Sequence, residues 1–426
     1  MIKVDFIPVK LRLPLKFGTE TIDSLKVVHV ELTAYGATGR GETPLSAAWA
    51  WPGKESFSFR EGMMSDFCLF LAGHFPSPAD DPMTAGYGFL TEKLPILLEE
   101  FNRKNACTMP HLAALICLSA FDIALHDAWG IAAGLPTYRM YNRQYMQHDL
   151  AWFFQDERFS GLYPEDFFVR EVPESLPVWH LVGGKDLLTD AERTGNEIQD
   201  GFPVTLEEWI RQDGLTCLKI KLTGSDCKWD FDRLVSVGEI ALCHNCRAIS
   251  PDFNCLVTEP EYVNQILDKL RSERPEIYDL LLYVEQPFPY DLNENRIDVH
   301  SCSERKPLFM DESAHDWQLV KLGYSLGWNG VALKVCKTQT GALLSACWAK
   351  QHNMMLMVQD LTNPMLAVVP HILLAAHVGT IMGVECNAPQ FCPQASLQLE
   401  TLRPGVYNRR QGVVKTTALR GIGLGY

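Results

Sequence analysis

Three acidic residues, each at the end of an apolar run, divide the second half of the chain into similar steps. They are Asp252, Glu285 and Asp311, and the steps are roughly thirty residues, the length of one strand–helix unit of a parallel sheet. Neighbouring strands lie about 4.8 Å apart, so carboxylates at the same end of three successive strands would share one small volume. Because unpaired carboxylates repel each other, the pattern predicts an all-oxygen site for a hard cation such as Mg2+ or Mn2+.

Lysines occupy the equivalent positions one step before and one step after the three acids. Lys219 and Lys221 lie two residues apart in an apolar run, so a strand would point both ammonium groups to one face. Lys334 ends the apolar run that follows Asp311. In an eight-stranded barrel, strands two and six face each other across the mouth, which places a lysine on either side of whatever the metal holds. Lys337 is a rival to Lys334, but three positions further on it is predicted to face away into solvent.

The motifs in this order resemble the muconate-lactonizing branch of the enolase superfamily, within the mandelate racemase/muconate lactonizing enzyme family. The resemblance is carried by Lys-x-Lys, Asp-x-Asn, Glu-Gln-Pro, Asp-Glu-Ser and a later Leu-Lys, and it includes residues 39–44 and 120–127. Each motif alone is weak, but five at strand–helix spacing are a strong signal. The resemblance implies an α/β fold, a (β/α)7β modified TIM barrel with an α+β N-terminal capping domain.

Periodicity and turn signals divide the chain into three parts. Residues 1–110 are predicted to form the α+β cap, residues 111–390 the barrel with the metal site, and residues 391–426 a C-terminal segment that packs on the cap. Residues 141–176 are rich in aromatic side chains; we predict core or subunit-contact packing for them, with an aromatic ligand site as the alternative. Barrel strands are predicted to begin near Pro177, Leu215, Arg247, Leu281, Pro307, Gly330, Met354 and Thr380.

Composition restricts the partners and the cellular location. The net charge of −14 disfavours binding to the phosphate backbone of nucleic acids. The N-terminus has a strand pattern rather than a signal peptide, and we expect no apolar run long enough to span a bilayer. The 13 cysteines form no repeating framework, so reduced core thiols and a cytoplasmic protein are expected. Cys243, His244 and Cys246 lack the second ligand pair of a zinc finger. We expect a homo-oligomer.

The resemblance implies removal of the proton from the carbon next to the carboxylate of a small substrate. The resulting enediolate needs stabilisation by the metal, and a lysine base beside Mg2+ is a known pattern of this superfamily. Lys221 and Lys334 match the two acid/base residues, with Lys219 as an electrostatic aid. Asp252, Glu285 and Asp311 match the metal ligands, and Asn254 and Glu312 match residues that orient the ligand shell and a lysine.

The cap loops of this family close over the barrel mouth and contact the distal part of the substrate. The corresponding residues here include Phe17, Thr19, Trp49 and Trp51, and ordinary surface loops are the alternative. Two tryptophans favour a partly apolar distal group over a sugar acid. Asp360 and Glu385, after the seventh and eighth predicted strands, complete the candidate substrate contacts.

The reaction outcome stays open at the level of sequence. The same lysines serve cycloisomerisation, racemisation or epimerisation; syn elimination of the o-succinylbenzoate synthase type is an alternative. A non-catalytic binding or scaffold protein that keeps the fold is another. Dipeptide epimerases carry Asp-x-Asp at the end of strand eight, whereas this chain has Glu385 and Asn387 there, which disfavours that activity. Lys334 on strand six argues against the sugar-acid dehydratases, which carry aspartate there.

Overall fold

An antiparallel three-stranded sheet begins the chain and forms one side of the cap. The computed structural model describes residues 1–17, 20–76 and 78–426. Alternation in the second strand buries Val28, Val30 and Leu32, because successive side chains of a strand point to opposite faces. The strands are β1 (Ile2–Phe17), β2 (Glu20–Ala34) and β3 (Ala37–Pro44), and the cap helices are α1 (Ala47–Ala50), α2 (Phe57–Ala72), α3 (Pro82–Gly88) and α4 (Leu94–Lys104).

The long helix α5 (His111–Ala133) packs against β2 and β3 and links the cap to the barrel. By length and composition it could cross a membrane, so the expectation that no apolar run reaches that length was wrong. Its apolar window is entirely buried inside the protein. A helix that is apolar on all sides is one that is surrounded by core.

Polar side chains of α5 fix the cap to the sixth barrel strand. Ser119 Oγ donates to the carbonyl of Val335 at 2.7 Å, directly after Lys334. The Asp122 carboxylate accepts from the backbone N–H and the hydroxyl of Thr340, both at 2.8 Å. These buried hydrogen bonds hold the chain that follows Lys334 against the cap.

Eight parallel strands follow and close into a barrel. They pair in chain order, and the first pairs with both the second and the eighth; between the seventh and eighth, the Ile381 N–H donates to the Leu356 carbonyl at 2.9 Å. The predicted starts lie within four residues of the observed ones. The (β/α)7β barrel with an α+β cap is therefore confirmed. The strands are β4 (Ser175–Val182), β5 (Cys217–Lys221), β6 (Ala248–Asp252), β7 (Val284–Glu285), β8 (Leu308–Met310), β9 (Gly330–Leu333), β10 (Met355–Val358) and β11 (Val384–Glu385).

Helices cover the outside of the barrel and connect its strands. The helices over residues 206–213 and 260–273 bury their apolar side chains and expose charged ones, as expected for amphipathic helices, whereas those over residues 339–351 and 368–378 are buried almost throughout. They are α7 (Leu206–Asp213), α8 (Cys227–Cys243), α9 (Pro260–Glu273), α10 (Pro275–Leu280), α11 (His300–Ser303), α12 (Trp317–Ser325), α13 (Gln339–Gln351) and α14 (Val368–Val378), preceded by α6 (Leu150–Phe154).

The aromatic segment 141–176 is part of the main core. Tyr141, Phe153, Phe154 and Phe159 are buried there, and the Phe154 ring meets the Trp317 ring with centroids 5.0 Å apart. The prediction of core packing is confirmed.

The C-terminal segment contacts both the barrel and the cap. It begins with α15 (Ala388–Phe391) and α16 (Leu397–Leu402), and β12 (Val413–Lys415) then pairs antiparallel with β4. Arg40 of the cap lies over the Tyr426 ring at 5.7 Å. The segment was predicted to pack on the cap; in addition, its described strand pairs beside the first barrel strand.

Two glycines of the 39–44 motif allow β3 to touch α5, and their replacement should be costly. A Cβ at Gly41 would lie 2.0 Å from the Ala120 carbonyl oxygen, which is backbone and cannot move aside. We expect Gly41→Ala to lower the free energy of unfolding by about 1–3 kcal/mol, the usual effect of overpacking. Denaturant titration measures this. Gly62→Ala is the control, since its Cβ meets nothing within 4 Å in α2; it should stabilise by about 0.5–1 kcal/mol. Equal stability of the two variants would contradict the close-contact explanation.

Candidate functional site

The predicted acids and lysines lie at the same end of adjacent barrel strands. Lys221, Asp252 and Glu285 are the last residues of β5, β6 and β7 and stand in register, whereas Asp311 and Lys334 directly follow β8 and β9. The three acids and Lys334 are at most 4% exposed. Barrel geometry therefore brings together all five residues, as the sequence predicted, at the C-terminal face where catalytic groups of such barrels lie.

Lys219 and Lys221 hold two of the three predicted metal ligands. Lys219 Nζ donates to Glu285 Oε1 at 2.6 Å and to Gln359 Oε1 at 2.7 Å, and lies 3.2 Å from Asp252 Oδ2. Lys221 Nζ donates to the same Asp252 oxygen at 2.5 Å. Burial opposes ionisation of Asp252, but Lys221 and Lys219 outweigh it and hold the pKa of Asp252 below its usual value.

Lys334 and Lys337 hold the third predicted ligand, Asp311. Lys334 Nζ lies 3.1 Å from Asp311 Oδ2 and donates to the Asp360 carbonyl at 3.0 Å. Lys337 Nζ donates to the Asp311 carbonyl at 2.5 Å and lies 3.5 Å from Asp311 Oδ1. Burial opposes ionisation of Asp311, but the two ammonium groups outweigh it and lower its pKa.

The prediction that Lys337 is solvated was wrong. The Lys337 residue is 3% exposed, and burial lowers the pKa of its ammonium group. A 3-10 helix over Val335–Lys337 follows β9, and in such a helix residues three apart lie on the same side. The alternation of a strand, from which we expected Lys337 to face away, stops at Lys334.

The site offers several carboxylate oxygens that a divalent cation could bind. Six buried carboxyl groups face four lysines there, and burial raises the pKa of three of the six, those of Glu285, Glu312 and Asp360. Asp311 Oδ1 and Glu312 Oε2 are buried without a hydrogen-bond donor. Among the described residues, however, no three His, Cys, Asp or Glu side chains stand as a ready-made metal site, because lysine ammonium groups lie between the carboxylates. The donor set fits Mg2+ or Mn2+, provided that the lysines withdraw. The carboxyl groups are those of Asp252, Glu285, Asp311, Glu312, Asp360 and Glu385.

The same ion pairs determine the protonation of the lysines. Burial opposes the charge on Lys219 and Lys334, but the neighbouring carboxylates outweigh it and raise the pKa of both. For Lys334 the main partner is Asp311. A cation that takes these carboxylates as ligands would remove the cause of the raised pKa values. A cation bound to Asp311 would therefore favour the neutral form of Lys334.

Asn254 and Glu312, the predicted orienting residues, connect the acids to the cap. The Asn254 N–H donates to Asp252 Oδ1 at 2.9 Å, and its side-chain amide donates to Glu312 Oε1 at 3.3 Å. The indole N–H of Trp49 donates to the same Glu312 oxygen at 2.9 Å. The Trp49 ring centroid lies 4.8 Å from Lys334 Nζ, a cation–π distance. Trp49 thus reaches into the site from the cap.

The other candidate substrate contacts do not all lie in the site as Trp49 does. Trp51 lies in the apolar core of the cap, and it does not line the cavity between the lysines. Phe17 ends β1, but its side chain and all of Thr19 lie outside the described residues. Asp360 accepts from the backbone N–H groups of Leu361 and Asn363 and lines the small cavity between the lysines, and its role as a substrate contact stays a prediction.

Glu385 belongs to the lysine cluster. Its Oε2 accepts from the Asp360 N–H at 2.9 Å and from Lys219 Nζ at 3.5 Å, and its Oε1 accepts from the Asn387 side-chain amide at 3.1 Å. Every oxygen of this carboxylate already has a partner within the protein. Glu385 also lines the small cavity between the lysines, and its role as a substrate contact stays a prediction.

Two glutamines of the site were missed by the sequence reasoning. Gln359 joins Lys219 to the Tyr283 hydroxyl at 2.8 Å and to the Glu285 carboxylate. Gln286 Oε1 accepts from the Asp311 N–H at 2.7 Å and from the Ser313 hydroxyl at 2.8 Å. Both directly follow barrel strands, the position that identified the acids, so the same rule applied to amides would have found them.

Comparisons with known proteins agree with this architecture. No protein-family model matches the chain, and no curated protein matches it at a significant level. Its fold is similar to that of muconate lactonizing enzyme from Pseudomonas fluorescens (TM-score 0.65, 15% identity, 100% of this chain and 95% of that chain). It is similar to dipeptide epimerase from Enterococcus faecalis, solved with Mg and a dipeptide (TM-score 0.64, 16% identity, 100% and 98%). The L-Ala-D/L-Glu epimerase of Bacillus subtilis gives a TM-score of 0.59 at 16% identity over 92% and 90%. The chain therefore has the fold of the mandelate racemase/muconate lactonizing enzyme branch of the enolase superfamily.

Proposed function

We propose that this protein is a metal-dependent enzyme that removes the proton next to the carboxylate of a small substrate. The outcome is racemisation, epimerisation or cycloisomerisation. The observation that carries the proposal is the pair of lysines, Lys221 and Lys334, on the second and sixth strands. Both line one cavity of about 20 Å3, together with Lys219 and Asp311. A scaffold protein has no need for buried ammonium groups in such a place, because burying charge is costly.

Each residue of the site has a distinct role in the proposed reaction. A divalent cation, when bound by Asp252, Glu285 and Asp311, supplies positive charge where the substrate carboxylate gains electron density. Lys221 and Lys334 then lie on opposite sides of the substrate carbon, and one takes the proton while the other returns it or stabilises charge. Lys219 keeps a positive charge beside the carboxylate, because Glu385, which is not a proposed metal ligand, remains beside it.

The small cavity explains why the cap matters to this chemistry. A volume of about 20 Å3 holds roughly one water molecule, so a substrate enters only if the lysines and carboxylates separate. Trp49 closes the cavity from the cap. We infer that substrate and metal bind together as the ion pairs open, which excludes water from the reacting carbon.

The proposal is tested by exchange of the substrate proton with solvent deuterium. With Mg2+ present, we expect the protein to exchange the proton next to the carboxylate in at least one of a panel of N-acyl amino acids, dipeptides and unsaturated dicarboxylates. Mass spectrometry measures the exchange, and an alkene product would instead indicate syn elimination. Lys228→Ala is a control, since the Lys228 side chain is 84% exposed and should not affect the rate. No exchange with any member would favour the scaffold alternative.

A further inference from the structure

A long loop crosses the barrel mouth beside the candidate site. Residues 183–205, here called the strap, connect β4 to α7, where about 2–6 residues are usual. Loops that follow barrel strands lie at the C-terminal face, the face of the site. The base of the strap is closed by a bridge between Leu187 and Thr205, so the residues between them form a separate excursion.

The strap is fastened to the cap by a bidentate ion pair. Arg12 of β1 donates to Asp200 from Nε at 2.7 Å and from Nη2 at 2.8 Å, and Nη1 donates to the Pro203 carbonyl at 3.2 Å. The Arg12 side chain is only 6% exposed. Paired hydrogen bonds of this kind fix orientation as well as adding energy, so they tie the strap to the cap.

A cavity of about 390 Å3 lies beneath the strap. Its volume falls in the range of small-molecule sites. Leu15, Leu181 and Lys221 line both this cavity and the small cavity between the lysines, so the two spaces adjoin at a candidate acid/base residue. The cavity's apolar walls come from the cap hairpin, the end of β4 and the strap, and include Leu13, Val182, Leu187, Ile198 and Val204.

Ile198 is unusual within the strap. It lies in a polar stretch between Asp190 and Asp200, and it is 40% exposed while lining the cavity. A large apolar side chain at a cavity rim gains burial only when something occupies the cavity. Its position therefore indicates an apolar ligand group rather than a polar one.

We propose that the strap is a specificity element that recognises an apolar group on the substrate. The substrate is then a carboxylate whose reacting carbon lies at Lys221 and whose distal alkyl or aryl group fills the 390 Å3 cavity against Ile198 and Leu187. This inference rests on the proposed function for the position of the carboxylate. The substrate site would then have two walls: one formed by the cap, and a second formed by the strap, which belongs to the barrel.

Calorimetric binding of a carboxylate series tests the strap. The probes are butanoate, hexanoate, octanoate and 4-phenylbutanoate with Mg2+, and 4-phenylbutanol as the analogue without a carboxylate. For the wild-type protein we expect affinity to rise about fourfold per added methylene and the alcohol to bind much more weakly than 4-phenylbutanoate. In Ile198→Asp the rise with chain length should be lost while butanoate binds as before. Ile96→Asp, at a 60% exposed position of α4, is the matched control and should keep the wild-type series.

The outcomes separate this inference from the proposed function. An Ile198→Asp series identical to the wild type, or no dependence on chain length in the wild type, would overturn the role of the strap even if proton exchange is found. A chain-length dependence lost only in Ile198→Asp, without exchange in any substrate of the panel, would keep the strap as a recognition element and reject the proposed chemistry. Asp200→Asn, which weakens the link to Arg12, should weaken octanoate binding more than butanoate binding.

Discussion

Replacing Asp311 with asparagine is expected to weaken Mg2+ binding by at least about 100-fold and to abolish turnover. Changes to residues that only support metal ligands cost about 10–100-fold in metal affinity, and Asp311 is proposed as a ligand itself. The same result is expected for Asp252→Asn and Glu285→Gln. Calorimetric titration with Mg2+ measures the affinity, and the exchange assay measures turnover.

The fold should survive the Asp311 change. Lys334 and Lys337 keep the carbonyls of Asp360 and Asp311 as acceptors, at 3.0 and 2.5 Å, so neither ammonium group is left without a partner. Circular dichroism and thermal unfolding check this point. Asp268→Asn is the matched control, because that carboxylate is 53% exposed and pairs with Arg305 on the outside of the barrel. Unchanged Mg2+ affinity in all three ligand variants would show that the metal assignment is wrong.

The backbone pattern of the barrel could be predicted from the sequence because it repeats. Apolar runs ending in Lys221, Asp252, Glu285, Asp311 and Lys334 recur at the spacing of one strand and one helix. Parallel strands bring the ends of such runs to one edge whatever the intervening helices do. The position of these five residues therefore depends on topology alone, and the structure places them together.

The details that were missed depend on local geometry or on long-range packing. Lys337 turns back toward Asp311 because a single 3-10 turn replaces the strand alternation that the prediction assumed. Trp51 lies two residues after Trp49, just beyond α1, and both pack in the cap core, but only Trp49 also reaches Glu312 and Lys334. The strap was not recognised because its polar sequence has no periodicity, and its link to Arg12 joins residues 188 positions apart.

The ion pairs between lysines and carboxylates also could not be read from the sequence. The prediction assigned the acids to a metal and the lysines to a substrate, as two separate sets. The structure instead pairs them, with Lys219 between Glu285 and Asp252 and Lys334 beside Asp311. Asp252 and Asp311 each contact two lysines, so a cation that bound these acids would have to displace ammonium groups.

Replacing Lys221 or Lys334 with alanine is expected to reveal which reaction the two lysines support. Loss of a general acid or base typically costs about 10²–10⁴-fold in rate. If the enzyme is a racemase or epimerase with two bases, each variant should still exchange the proton of one enantiomer and lose exchange of the other, because each lysine reaches only one face of the carbon. Single enantiomers of a substrate found in the exchange panel, incubated in deuterium oxide, measure this directly.

The two variants also distinguish the alternatives. If only one lysine acts as a base, its alanine variant loses all exchange, and the other variant keeps exchange of the enantiomer that the remaining lysine reaches; this pattern would indicate cycloisomerisation or syn elimination. The Lys334 ammonium group lies beside Asp311 and donates to the Asp360 carbonyl. Exchange of both enantiomers by Lys334→Ala would show that Lys334 is not an acid/base residue. Lys334 would then serve, together with Lys337, as a counter-charge for Asp311.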